Sequence, residues 1–167
     1  MPPLDGASFE DSYRRVFPLV LAKCRRMLRG HSDAHDVAQE VFVRLWKHRE
    51  LIDDQRALVG WLYLTSTRLV IDRARQRRLS EESMAHLESS MTAQTNETGE
   101  ARYASRQQLR SLLRDVPAKE LEAAILNRLD RMSHVEVAEV MGVGERTVRR
   151  LLTRFDERAG ALGETVR

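Results

Sequence analysis

Apolar residues along this chain recur at helical spacing, and no stretch alternates apolar and polar positions convincingly enough to read as a strand. The clearest stripe is Ala34, Val37, Ala38, Val41, Phe42 and Leu45, at i, i+3, i+4, i+7, i+8 and i+11, which predicts a helix over about 33–48. Ahead of it, Phe9, Val16, Leu19, Val20 and Leu28 are the inward candidates of a helix over about 8–29, ended by Gly30. Pro18 lacks a backbone N–H and crowds the preceding turn, so a kink or a division is expected there. A short loop over 51–59 leads to a third helix over about 60–78. Farther on, Leu109, Leu112, Leu113 and Val116 mark a helix that Pro117 terminates, and Leu121, Ala124, Ile125 and Leu129 mark the next. Ser133 and Glu136 have the spacing of a capping box, opening a helix that carries Val137, Ala138 and Met141 and closes at Gly142. A last helix begins at Gly144 or Glu145.

Between the third helix and Leu109 the pattern stops. The stretch Leu79 to Gly99 holds four Ser, three Thr, Asn96 and Gly99, and sustains no period. The expected architecture is therefore all-α: two small helical modules, residues 1–79 and 105–167, joined by a flexible linker over 80–104, with the second module ending in a helix-turn-helix. A coil of about 25 residues has a root-mean-square span of roughly 28 Å, enough to tether modules on separate sites. An exposed loop inside one domain is the alternative.

Composition agrees with helices: 167 residues, 42% apolar, 32% charged and only 5% aromatic. The single Cys24 can form neither an internal disulfide nor a Cys-based zinc cage, which suits a reducing compartment. The longest nearly apolar run, Val16 to Ala22, is far short of a membrane span, and the first residues lack a signal-peptide pattern. A cytoplasmic protein without membrane insertion is expected. His31 and His35 stand four apart, but no third ligand accompanies them, so no metal is expected. The chain has no Walker loop, HExxH, GxSxG or CxxC, and no nucleophile with a base; neither an enzyme nor a cofactor is expected.

Charge is segmented. Residues 1–80 hold 15 Lys/Arg against 10 Asp/Glu, residues 81–104 hold 1 against 5, and residues 105–167 hold 12 against 10. Two basic segments flank an acidic one, which favours a polyanionic partner. On the last helix Val148, Leu151, Leu152 and Phe155 share one face, while Arg146, Arg149, Arg150, Thr153 and Arg154 share the opposite one. Such a face can hold phosphates and read guanine edges in the major groove, or it can be the solvated side of a structural hairpin. On the third helix Trp61, Thr65, Arg68, Asp72, Arg75 and Gln76 fall on one stripe. An aromatic beside cations suits unpaired bases and their phosphates; the alternative is a core Trp61 with an ordinary Arg68–Asp72 ion pair. On the second helix Asp36, Gln39, Glu40 and Val43 lie opposite the apolar stripe, with Trp46 at its edge, as a docking face or a solvated one.

These residues resemble a known family. The run Asp33-Ala-His-Asp-Val-Ala-Gln-Glu-Val-Phe-Val-Arg-Leu-Trp46, continued by Gly60-Trp-Leu-Tyr and Leu69-Val-Ile-Asp-Arg-Ala-Arg75, resembles region 2 of bacterial sigma factors. Val116-Pro-Ala-Lys-Glu, Ser133-His-Val-Glu-Val-Ala-Glu-Val-Met-Gly-Val and Thr147-Val-Arg-Arg-Leu-Leu resemble region 4. The two-module layout is similar to the extracytoplasmic-function subgroup. The resemblance implies a transcription initiation factor whose partners are core RNA polymerase, promoter DNA and an anti-sigma factor. It implies that Asp36, Gln39, Glu40, Val43 and Trp46 bind the clamp helices of the largest polymerase subunit. It implies that Asp53, Asp54, Gln55, Arg56, Trp61, Arg68, Asp72 and Arg75 recognise and melt the −10 element, and that Arg146, Thr147, Arg149, Arg150, Thr153 and Arg154 read the −35 element. The sequence departs from the family pattern at Arg68, where Asn is usual, at Leu151, where Arg is common, and at Gly144, where a Ser N-cap is usual. Two other readings stand beside it: a stand-alone helix-turn-helix regulator acting as a dimer, and a degenerate sigma-like adaptor that has lost promoter recognition.

Overall fold

A computed structural model describes residues 6–28, 31–49, 52, 54–88 and 111–165, all but a few of them helical, with no strand among them. Helix α1 (Gly6–Met27), α2 (His31–His48) and α3 (Gln55–Glu88) form the first module. Residues 111–115 are helical, and α4 (Ala118–Ala124) follows and passes into a single π turn over Ile125–Leu129. Helices α5 (His134–Met141) and α6 (Glu145–Thr165) complete the second module.

The α2 stripe is buried throughout: Ala34, Val37, Ala38, Val41, Phe42 and Leu45 all enter the first core, where they meet Val20, Cys24 and Leu28 of α1 and Leu58, Leu62, Leu69 and Val70 of α3. Tyr13, Phe17 and Phe42 close one end as an aromatic cluster, with ring centroids 4.8 to 5.5 Å apart. Leu19 departs from its expected inward place and is 64% exposed, because the buried stripe steps through Tyr13, Phe17, Val20 and Cys24 and leaves it on the flank. Pro18 does not divide α1, which runs unbroken through it. Its ring sits on the exposed side, where water can take up the carbonyl that loses its amide partner. Phe9 and Leu109 lie outside the residues whose side chains are described, and Gly30 outside the described residues.

Helix α3 is longer than expected at both ends. It starts at Gln55, and at the other end continues past Arg78 through the opening of the expected linker to Glu88, over a run of helix formers without Gly or Pro; residues 89–104 of that linker lie outside the described residues. It also buries residues on two sides. Leu62, Leu69 and Val70 face the first module, whereas Tyr63 and Leu64 pack against the second core and Ile71 joins Val116 and Leu121. A helix held from both sides shows no single apolar stripe, which is why its periodicity is weak.

The second core is built from Ala123, Ala124, Leu126, Val137, Ala138, Val148, Leu151 and Leu152. The capping box forms as expected: Ser133 N–H and hydroxyl both donate to the Glu136 carboxylate at 2.8 Å, and Glu136 N–H donates back to the Ser133 hydroxyl. Gly142 closes α5 at φ 65°, a left-handed conformation that glycine adopts without a Cβ penalty. Leu129, expected inside, is 39% exposed. The π turn adds a residue to the helical repeat and rotates Leu129 out of the stripe that Leu121, Ala124 and Ile125 begin.

Candidate nucleic-acid and partner interfaces

The turn over residues 142–144 sets α6 against α5, and burial of Val148, Leu151 and Leu152 fixes its rotation. That rotation turns Arg146, Arg149, Arg150, Thr153 and Arg154 to solvent, with Thr147 half-buried at the helix start. Arg149 pairs with Glu145 at 2.5 Å, and the Thr153 hydroxyl donates to the Arg149 carbonyl at 3.0 Å. The helix is anchored from behind by Arg158–Glu120 at 3.1 Å and by Arg128–Asp156. The result is a rigid helix with a cationic outer face, the arrangement a major groove accepts. Leu151 lies in the core beside Val148 and Leu152, on the face opposite the arginines.

On α2 the docking candidates Asp36, Gln39, Glu40, Val43 and Trp46 all face solvent. Val43 is 48% and Trp46 43% exposed, an apolar pair flanked by carboxylates. Glu40 pairs with Arg44 along the helix, Arg73 of α3 lies 3.8 Å from Asp36, and Arg49 stacks over the Trp46 ring at 4.2 Å.

The α3 candidates are placed differently. Asp54 accepts from Ala57 N–H at 2.7 Å and so caps α3. Trp61 is half-buried against the first core beside His48, and it borders a cleft of about 580 Å³ shared with Asp54, Arg56, Gly60, Glu136 and Glu139. Arg68 pairs with Glu122 of the second module at 3.2 Å, rather than with Asp72 one turn along its own helix. Arg75 donates to the carbonyls of Leu113 and Val116, each at 2.9 Å. Arg56 pairs with Glu139 at 2.6 Å. Asp72 is exposed. Asp53 lies outside the described residues, as does the side chain of Gln55.

Sequence reasoning missed Lys23 and Asp130. The Lys23 ammonium donates to Asp130 at 2.5 Å, to the Thr67 hydroxyl at 2.8 Å and to the Tyr63 carbonyl at 3.1 Å, and Arg26 donates to the other Asp130 oxygen at 2.9 Å. The Asp130 side chain is wholly buried. Burial holds the Lys23 ammonium below the ordinary lysine value, opposed by its hydrogen bond to Asp130. A lysine three residues beyond Val20 on an otherwise apolar flank was the available signal; its partner, 107 positions away, was not. Among the described residues no group of three or more His, Cys, Asp or Glu is placed to hold a metal, and no helix is long and apolar enough to cross a membrane. His35 packs edge-on against Phe17 at 5.7 Å.

Comparison with known proteins is consistent with this layout. Residues 12–79 match the model of Sigma-70 region 2, and residues 106–154 match that of Sigma-70, region 4. The chain is 28% identical to the extracytoplasmic-function RNA polymerase sigma factor SigW of Bacillus subtilis, over 80% of this chain and 77% of that one. It is 27% identical to the ferric citrate uptake sigma factor FecI of Escherichia coli, over 90% of this chain and 87% of that one. The fold is similar to that of the Bartonella quintana sigma factor RpoE, solved in complex with the anti-sigma factor NepR. That match has a TM-score of 0.52 and 18% identity, and covers 95% of this chain and 98% of that one. With regions 2 and 4 matched in order on its two helical modules, the chain belongs to the bacterial RNA polymerase sigma factors, in their extracytoplasmic-function subgroup.

Proposed function

We propose that this sigma factor directs core RNA polymerase to promoters through three separate surfaces. The outer face of α2, with Asp36, Gln39, Glu40, Val43 and Trp46, docks on the clamp helices of the largest polymerase subunit. The α3 face and the turn before it, with Asp53, Asp54, Gln55, Arg56, Trp61, Arg68, Asp72 and Arg75, hold the melted −10 strand by stacking and phosphate contact. Helix α6 reads the −35 element as duplex through Arg146, Thr147, Arg149, Arg150, Thr153 and Arg154. The observation that carries the reading is the last of these: a helix-turn-helix whose second helix buries Val148, Leu151 and Leu152 and turns four arginines outward. An anti-sigma factor is a further partner, supported by the neighbour solved with one.

The test is co-purification of the tagged chain with bacterial core polymerase, followed by transcription from a promoter library with start-site sequencing. Start sites sharing two upstream elements are expected, and Asp36→Ala with Gln39→Ala should remove polymerase binding while leaving the circular dichroism spectrum unchanged. Stable binding with scattered start sites would reject promoter recognition; unchanged polymerase affinity in the double variant would reject the α2 face.

A further inference from the structure

A second cleft lies where α3 passes residues 113–118, and none of the three proposed surfaces uses it as a cavity. It measures about 480 Å³, within the range of small-molecule sites. Helix α3 lines one wall with Arg75, Arg78 and Leu79. Arg75 ties that wall to the other by donating from Nε to the Leu113 carbonyl and from Nη2 to the Val116 carbonyl, each at 2.9 Å. On the second wall Arg114 grips the adjacent Asp115 carboxylate with two bonds, 2.7 Å from Nε and 2.9 Å from Nη2. Those bonds, with the charge of Arg78 added, hold the Asp115 carboxyl below the ordinary aspartate value, so it is an acceptor at neutral pH.

Three kinds of surface therefore meet in one cleft. Three guanidinium groups outnumber the single carboxylate, and an apolar strip of Leu79, Leu113 and Pro117 runs beside them, with Leu79 55% exposed. An inorganic anion would use the arginines and leave the apolar strip in water; an apolar molecule would leave the excess positive charge unmatched. A ligand that satisfies both carries phosphate at one end and a flat, weakly polar body at the other. We propose that this cleft binds a nucleoside diphosphate: Arg78, Arg114 and the N–H groups of Arg75 beyond Nε hold the phosphates, Asp115 accepts from a ribose hydroxyl, and the base lies on the apolar strip. Guanidinium groups suit the phosphates because each presents five N–H donors in a planar fork. One wall belongs to each module, so the ligand touches both and stabilises the chain against unfolding by mass action. The cleft shares only Arg75 with the α3 strand face and nothing with the α2 or α6 faces, so the proposal stands apart from the roles given to them.

The test is isothermal titration calorimetry of the full chain with ADP and with GDP, and with adenosine and pyrophosphate as the two halves of the ligand. One-to-one binding of at least one diphosphate is expected, at least about tenfold tighter than either half. Arg78→Ala and Arg114→Ala should each weaken it at least about tenfold, and Arg114→Lys, which keeps the charge and loses the fork, should weaken it as well. Asp115→Asn should weaken nucleotide binding and leave pyrophosphate no weaker. Arg25→Ala, on the exposed side of α1 and outside the cleft, should change nothing. Should Arg78→Ala fail to fold, Arg114 decides, because its side chain is 58% exposed and its variants leave the cores intact. Absence of binding by both diphosphates, unchanged affinity in Arg114→Ala, an equal loss in Arg25→Ala, or pyrophosphate binding as tightly as the nucleotides would each overturn the proposal; the last two would reduce the cleft to general attraction of anions.

Discussion

Replacing Asp130 by Ala should uncouple the two modules during unfolding. The Asp130 carboxylate is wholly buried and carries two cations, Lys23 at 2.5 Å and Arg26 at 2.9 Å. Removing one member of a buried pair costs about 3–5 kcal/mol when the other is left as an uncompensated charge. Three features lower that figure. Lys23 keeps the Thr67 hydroxyl and the Tyr63 carbonyl, Arg26 is half-exposed and rehydrates, and the modules can separate so that water reaches the ammonium. A loss of about 2 kcal/mol is expected, limited above by the free energy of docking itself. Lys23→Met combined with Asp130→Leu should cost less than about 1 kcal/mol, because desolvation, the largest influence on Lys23, disappears together with the attraction it opposes. Urea unfolding followed by two probes measures both quantities. Trp46 and Trp61 are the two tryptophans and both lie in the first module, so fluorescence follows that module while far-UV circular dichroism follows all helices. In Asp130→Ala the two transitions should separate, with the second module melting first. Coincident transitions at the parent midpoint, or a double variant as damaged as the single one, would refute the argument.

Cys24 is buried and its thiol is pushed up to about 11 by desolvation, so at pH 8 it should react with Ellman's reagent only as fast as the first module opens, and stoichiometrically in denaturant. Hydrogen bonds from Ser133 hold the Glu136 carboxyl below the ordinary glutamate value. Its contribution to α5 is therefore present above that ordinary value and lost as pH falls through the depressed one; thermal melts from pH 6 to 3 should show more acid sensitivity in the parent than in Glu136→Gln, which has no carboxyl to titrate. Arg149→Ala with Arg150→Ala should cost about 1–3 kcal/mol per lost base contact in holoenzyme binding to duplex −35 DNA, read by footprinting, with polymerase binding unchanged. Leu151→Arg should destabilise the second module by at least about 2 kcal/mol in thermal unfolding, because the side chain would enter the core, and should not improve DNA binding.

Local patterns were legible in the sequence because their physics is local. The α2 stripe, the Ser133–Glu136 box, the Gly142 turn and the division of α6 into a core face and an arginine face each involve residues within three or four turns of one helix. They define helices, faces and the helix-turn-helix without any knowledge of the rest of the chain. Where a neighbour intervened, the reading slipped: Leu129 left its stripe because a π turn rotates it outward, and Leu19 lies off the stripe that α1 buries. The docking of the modules was not legible at all. Arg68 could pair with Asp72 one turn away, yet it bonds Glu122; Lys23 stands on an apolar flank, and its partner is 107 positions along the chain. Charge carries no periodic signature of whom it meets, so such pairs are decided only when two finished surfaces are brought together. Tertiary structure thus settled which of the candidate faces is covered and which are open: α3 is held by the second module, while α2 and α6 present their outer faces to solvent.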